Sequence, residues 1–399
     1  MHDSATDTRA HVLLLSSISP AGLKRLPAER YVVNRSVAEP AAILVRSTDM
    51  HTMTLPASVR AVARAGAGTN NIPVAALSAR GIPVFNAPGA NANAVKELVL
   101  AGMLMAARHV APALQFVAGL DIGASDLEDR IENGKKAFAG SELRGQTLGI
   151  VGLGKVGCLV ADAAIKLGMN VLGFDPHITV DAAWSLPSQV KKAASVEDVL
   201  RNAAFVSLHV PLIDATRHLV DERKLALARP GGVLLNFSRD GVADEAAVAA
   251  SLKSGRLGWY VSNFPSAALL GQPRVVALPH LGASTREAEE NCAVMVVDQL
   301  RDYLEQGHIA HAVNFPAVAM DRESPWRIAI ANANVPNMLG QISTALAKAG
   351  LNIHNMVNKS RGDTAYTLVD VDSSVGAAVV ADLRAIHGVL AVRCLPQSG

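Results

Sequence analysis

The chain has 399 residues, of which 50% are hydrophobic, 18% charged and 4% aromatic, and its formal net charge is +2. That length suits two or three domains with sizeable cores, and the apolar content excludes a disordered chain. A charge so near zero, with no basic stripe interleaved with aromatics, excludes the footprint of a nucleic-acid binder.

The opening segment, MHDSATDTRA, is polar and lacks the apolar core of a signal peptide. Short apolar runs at His11–Leu15, Ala42–Val45, Val59–Ala65 and Pro83–Ala87 then read as buried parallel strands, with helical stretches between them. A long helical pattern runs from about Ala92 to about Gln115. No apolar run reaches the roughly 18 residues of a membrane span. A second unit opens at Leu143 with LRGQTLGIVGLGKVG, a strand, a Gly-rich turn and a helix start. Strands are expected at Asn170–Phe174, Ala204–His209, Gly232–Asn236, Leu257–Ser262 and Val275–Leu278. This alternation predicts doubly wound parallel sheets of the α/β class. A helix over about Ser284 to Glu305 follows, and residues 308–322, interrupted by Pro316, read as a linker. The last seventy residues read strand, helix, strand, strand, helix, strand, the split βαβ order of a ferredoxin-like α+β module.

Cys158, Cys292 and Cys394 lie far apart with no CxxC pair. Neither a disulfide framework nor a metal site is expected, and a reducing cytoplasm is the expected compartment.

Gly152-x-Gly154-x-x-Gly157 carries the first chemistry. Gly152 permits a tight turn, Gly154 lets backbone approach a pyrophosphate, and Gly157 lets the helix pack closely on the strand. The motif alone is weak, and a structural turn would look the same. Its context strengthens it: the strand Leu148–Val151 precedes it, a helix follows, and Asp175 stands 18 residues after Gly157 at the end of the next strand. A carboxylate there would hold a ribose hydroxyl pair and repel the extra phosphate of NADP, so NAD is the expected cofactor.

Three stretches, GIPVFNAPGANANAVKELVLAGML, LLNFSRDGVADEAAV and VVALPHLGAST, resemble the D-2-hydroxyacid dehydrogenases, and the resemblance covers the chain after about residue 40. It implies a flavodoxin-like substrate domain (residues 1–101 and 286–316) split around a Rossmann NAD domain (102–285). The terminal module (326–399) resembles an ACT regulatory domain. The combination resembles the short form of the phosphoglycerate dehydrogenases. That form implies oxidation of 3-phosphoglycerate with NAD, the entry to serine synthesis, in a homodimer or homotetramer. A reductase of an unphosphorylated acid such as hydroxypyruvate or glyoxylate, and a non-catalytic NAD and amino-acid sensor, are the alternatives.

Carried over by position, the resemblance makes Arg239 the residue that binds the substrate carboxylate and His280 the acid–base. A guanidinium fork suits the first task and an imidazole near its own pKa suits the second. Lys155 and Val156 fall in the phosphate turn. His209, Val210 and Pro211 close the third strand beside the cofactor, Phe237 and Ser238 precede Arg239, and Gly282 and Ala283 follow His280. On the substrate side the matches are Arg46 and Ser47, with Arg64 a second phosphate cation, and the turn Ala67-Gly68 before Asn70. Lys96 is either a further substrate cation or a solvated helix lysine. In the terminal module, Asn332, Asn334 and Asn352 would surround an L-serine effector between two modules, or would only cap turns.

One stretch departs from the family pattern, which places an Asp for the nicotinamide amide and then a Glu for the histidine. Here WYVSNFPSAALLGQPRVV has Asn263 in place of the Asp, and the Glu position falls near Ala267 or Ala268. Without that Glu, His280 is expected to titrate lower, with Glu245 and Glu97 as candidate replacements.

Overall fold

The computed structural model describes residues 9–264 and 266–396, so most of the polar opening segment lies outside the described residues. Two compact units emerge, one from the chain up to Asn91 and from Arg286 onward, the other from Ala92 to Thr285. Among the described residues no single helix is long and apolar enough to cross a membrane.

In the first unit, β1 (Ala10–Leu14), β2 (Tyr31–Asn34), β3 (Ala42–Val45), β4 (Ala61–Arg64) and β5 (Val84–Phe85) form a parallel sheet ordered β2-β1-β3-β4-β5. This is the flavodoxin-like order. All four residues of β3 are buried, as a strand covered on both faces requires. β2 escaped the periodicity reading because it is an edge strand of four residues with only Tyr31 buried. The helix Arg286–Gln306 returns onto this sheet through Cys292, Ala293, Val296, Val297, Leu300 and Tyr303. It comes so close that a Cβ on Gly22 would meet the backbone of Ala293 at 2.6 Å.

The second unit is a parallel sheet of β6 (Thr147–Val151), β7 (Asn170–Phe174), β8 (Lys191–Lys192), β9 (Phe205–Leu208), β10 (Gly232–Asn236), β11 (Leu257–Ser262) and β12 (Val275–Ala277), ordered β12-β11-β10-β9-β6-β7-β8. The chain leaves β6 to one side and returns to its other side at β9, which makes the carboxyl ends of these two strands the switch point where α/β sheets bind ligands. The helix expected over 92–115 is two helices, Ala92–Ala107 and Val110–Ala118. Pro112 explains the break: its ring would strike the carbonyl of Arg108, and His109 turns the chain at φ 50°.

The terminal module has β13 (Trp326–Ala333), β14 (Ile353–Arg361), β15 (Thr364–Val371) and β16 (Val389–Pro396) in an antiparallel sheet ordered β14-β15-β13-β16. Ile328, Ile330, Val369 and Val371 face the module's own helices, Met338–Lys348 and Ala377–Ala385, in one core. The opposite face is also covered. Ala329, Ala331, Tyr366, Leu368 and Leu395 share a core with Phe85, Tyr303 and Phe315 of the first unit's body. The Tyr366 hydroxyl donates to the Gly307 carbonyl (2.8 Å), and the Arg393 guanidinium lies 4.4 Å over the Tyr303 ring. Residues 308–322 are therefore no free linker. Ile309 bridges Val318, Ala312 bridges Phe85, and Ile309, Ala312, Phe315, Val318 and Met320 are buried. Their irregular spacing gave periodicity nothing to detect. A buried ion pair closes the joint: Arg327 donates to Asp370 through Nε (2.7 Å) and Nη2 (2.9 Å), to Asp321 O (3.0 Å) and to Gln306 O (3.3 Å).

Candidate active site

The glycines of the second unit form a tight turn and a close helix contact. Gly152 takes φ 95°, and a Cβ there would meet the His209 backbone at 2.8 Å. A Cβ on Gly157 would meet the Gly152 carbonyl oxygen at 2.1 Å, so helix and turn touch only because that atom is missing. Gly154 caps the helix Lys155–Lys166 with no side-chain hydrogen bond, and a Cβ on it would meet nothing within 4 Å. Lys155 and Val156 open that helix, whose first N–H groups lack intrahelical partners. An uncapped helix start facing open space is what a pyrophosphate needs. Asp175 follows the end of β7 and accepts from Leu153 N (2.9 Å, Oδ2) and His177 N (2.9 Å, Oδ1). It thus ties the glycine turn to the next strand while its remaining lone pairs stay available to a ribose.

At the other side of the switch point, His209 follows β9 with Nε2 2.9 Å from Ser207 Oγ. Burial pushes its pKa down to about 4, so the imidazole is neutral at physiological pH. The Val210 carbonyl accepts from Ser238 Oγ, which pins this loop to the turn after β10, and Pro211 O accepts from Thr216 Oγ1 (2.6 Å) within the loop itself. Phe237 is buried beneath that turn.

Arg239 follows β10 and His280 follows β12, on either side of β11, and two asparagines hold both turns. Asn236, at the end of β10, accepts from Ser238 N (3.1 Å) and donates to the Arg239 carbonyl (3.1 Å). Its own carbonyl accepts from Asn263 N (3.1 Å). Asn263, just past β11, accepts from His280 N through its carbonyl (3.0 Å) and from Leu281 N through Oδ1 (2.8 Å). The Arg239 guanidinium reaches Ser238 O (2.8 Å), and partial desolvation lowers its pKa, though as an exposed residue it stays charged. Gly282 packs on Asn263 and on Val95 of the helix Ala92–Ala107, and Ala283 is half-buried beside it. Lys96, on the same helix, donates to Asn93 (2.6 Å), and the exposed Glu97 accepts from Asn93 (2.8 Å). Glu245 opens the helix Glu245–Lys253, where its charge suits the helix dipole.

In the first unit the expected substrate residues gather at the carboxyl ends of β3 and β4. Arg46 is paired with Glu289 of the helix Arg286–Gln306 at 2.7 Å, a contact spacing could not reveal. Three successive N–H groups, of Arg46, Ser47 and Thr48, point at Ser16 Oγ (3.1, 3.3 and 3.4 Å). Asn71 accepts from Arg64 Nε (2.9 Å) and donates to Thr48 O (2.7 Å) and Arg46 O (3.3 Å), so it links both cations. The turn at Ala67-Gly68 is held by Asn86, which donates to Ala67 O (2.5 Å). Ser16, Asn71, Asn86 and Asn236 were not singled out from sequence. Their polar types at strand ends were visible, but their partners were not.

The whole arrangement can be set beside known proteins. Residues 100–282 match the model of the D-isomer specific 2-hydroxyacid dehydrogenase NAD-binding domain. A D-3-phosphoglycerate dehydrogenase of Haemophilus influenzae is 32% identical over 340 residues, 82% of this chain and 79% of that protein. The chain belongs to the D-isomer specific 2-hydroxyacid dehydrogenase family, in its D-3-phosphoglycerate dehydrogenase branch. A second member of this branch, from Methanocaldococcus jannaschii, is 34% identical over 66% of this chain and 49% of its own length. Apo D-mandelate dehydrogenase of Rhodotorula graminis shares the fold with a TM-score of 0.65, at 22% identity, over 78% of this chain and 99% of that one. The cofactor of this dehydrogenase is NAD, and the glycine cradle, the open helix start and Asp175 fit it.

In the terminal module Asn332 and Asn334 lie at one end of the sheet, where Ala333 pairs with Thr364. Asn352 lies at the other, where Ile353 and Trp326 both pair with Val371. Six residues of β13 separate the ends, about 20 Å of strand. One module does not bring the three together. Asn334 donates to Gly362 O (3.0 Å) and Asn352 N donates to Asp372 (3.2 Å), both as turn ties.

Proposed function

We propose that the protein oxidises 3-phospho-D-glycerate to 3-phosphohydroxypyruvate with NAD, the first step of L-serine biosynthesis, in the cytoplasm. The observation that carries this reading is the pair of turns bearing Arg239 and His280, tied through Asn236 and Asn263 beside the glycine cradle. Arg239 binds the substrate carboxylate and polarises the C2 oxygen. His280 takes the proton of the C2 hydroxyl. Accepting the hydride from C2 is the chemistry NAD supplies when bound. Arg46 and Arg64 are the cations for the phosphate, with Ser47 and the Ala67-Gly68 turn as neighbouring polar backbone.

NADH formation from NAD and 3-phosphoglycerate, absent in His280→Ala, is the expected result. No turnover in either direction despite NAD binding would refute it. The Arg46–Glu289 pair favours one other reading, because a cation already neutralised is less available to a phosphate. On that reading the substrate is an unphosphorylated acid such as hydroxypyruvate or glyoxylate, and its kcat/KM would exceed that for the phosphorylated one.

The assembly we propose is a homodimer or homotetramer in which two terminal modules meet. Asn332 and Asn334 of one module and Asn352 of another would hold L-serine. The buried Asn332 Oδ1, which has no hydrogen-bond partner, supports a ligand that donates there. Serine should slow turnover, and Asn332→Ala should abolish that effect.

A further inference from the structure

We propose that Asn263 and Phe264 are the positioning residues for His280, with Asn263 clamping its turn and Phe264 fixing its ring; this rests on the reading of His280 as the proton acceptor. His280 stands at φ 53°, in the left-handed region that side chains other than glycine seldom enter. Such a conformation persists where the surroundings over-determine it. Asn263 supplies that constraint twice. Its carbonyl accepts from His280 N (3.0 Å), a donor shared with Leu278 O (2.9 Å), and its Oδ1 accepts from Leu281 N (2.8 Å). Two consecutive N–H groups of the turn are thus anchored on one residue that is only 3% exposed.

The next residue addresses the ring. Phe264 lies with its centroid 4.8 Å from that of His280, tilted by 56°. Its own backbone is fixed by Ser262, whose Oγ accepts from Phe264 N (3.1 Å) and donates to Phe264 O (3.0 Å). A buried amide thus sets where the histidine backbone goes, and a braced aromatic ring sets how the imidazole turns. Asn263 gives one lone pair of its side-chain oxygen to Leu281 N, which makes it a part of the histidine turn. The stretch from Trp259 to His280 holds no acid, so what it brings to the histidine through these contacts is an amide and an aromatic ring.

The test uses the full chain with selectively labelled histidine, measuring steady-state kinetics with NAD and 3-phosphoglycerate and the His280 ring resonances, assigned by their loss in His280→Gln. For Asn263→Ala, kcat should fall about tenfold or more while the KM values for NAD and substrate change by less than about twofold. Asn263→Asp, which keeps the acceptor for Leu281 N, should recover kcat to within about threefold. Phe264→Leu should remove the ring-current shift of the His280 resonance. A rise of about tenfold in KM for NAD with kcat intact in Asn263→Ala would overturn the proposal and make Asn263 a cofactor ligand. Unchanged His280 resonances in Phe264→Leu would overturn it as well. If Asn263→Ala does not fold, Asn263→Asp and Phe264→Leu carry the test. If the parent turns over no 3-phosphoglycerate, the functional reading fails while the resonances still report the positioning.

Discussion

Replacing Asp370 with Asn should destabilise the first unit sharply. Arg327 and Asp370 both have 0% exposed side chains, so neither charge has water to fall back on. The substitution leaves a guanidinium buried and turns one acceptor oxygen into a donor facing a donor. It also weakens the acceptor of Glu323 N (3.0 Å). Charge-assisted hydrogen bonds contribute about 1.5–3 kcal/mol each, and breaking a buried pair from one side costs about 3–5 kcal/mol. Asn keeps one acceptor, so the lower end, about 3 kcal/mol, is expected. For a unit of about 200 residues that is about 6–12 °C of melting temperature. Arg327→Met with Asp370→Leu should recover most of the loss, because the buried pair and an apolar replacement are often close in free energy. The assay is urea unfolding followed by Trp326 fluorescence, with Trp184 and Trp259 changed to Phe so that the signal comes from β13. A loss under about 1 kcal/mol in Asp370→Asn, or a double variant no better than the single ones, would refute the reasoning.

Three further outcomes follow from the site. Gly157→Ala forces a Cβ into the Gly152 carbonyl, so NAD affinity should fall about 100-fold in a fluorescence titration while the first unit's melt is unchanged. His209 is neutral when folded, with a pKa near 4 against about 6.5 unfolded, so below pH 6.5 the unfolded chain takes up a proton that the folded one refuses. Stability of the second unit should therefore drop by about 2 kcal/mol between pH 7.5 and pH 5 in urea titrations, and His209→Gln should flatten that slope. Asn71→Ala unties Arg64 from the loop carrying Arg46, so KM for 3-phosphoglycerate should rise about tenfold with kcat little changed, and an unchanged KM would remove both arginines from the phosphate's site.

Periodicity and motif spacing found what is local. The buried run at Ala42–Val45 and the tight turn at Gly152–Gly157 each follow from a few adjacent residues, and the structure forms both. The break at His109 was written in Pro112, but a continuous apolar stripe on both sides masked it. The buried joint at 308–322 was illegible because its apolar residues satisfy no period and depend on partners more than 200 residues away, such as Phe85. The two duties of Asn263 were hidden for a related reason: a lone Asn after a strand gives no sign that its oxygen meets the N–H of Leu281, 18 residues on. Glu289 likewise carries no mark in the sequence that it will neutralise Arg46.

Both faces of the terminal module's sheet are covered. Its sheet seals one core with its own helices and a second with Tyr303, Phe315 and the residues between Gly307 and Met320. A cut anywhere in that stretch would strip apolar surface from both fragments, so neither could be lent to another protein or lost without unravelling its neighbour. The joint is a weld, and a mutation or ligand that loosens the module is felt as instability by the sheet that carries Arg46 and Arg64.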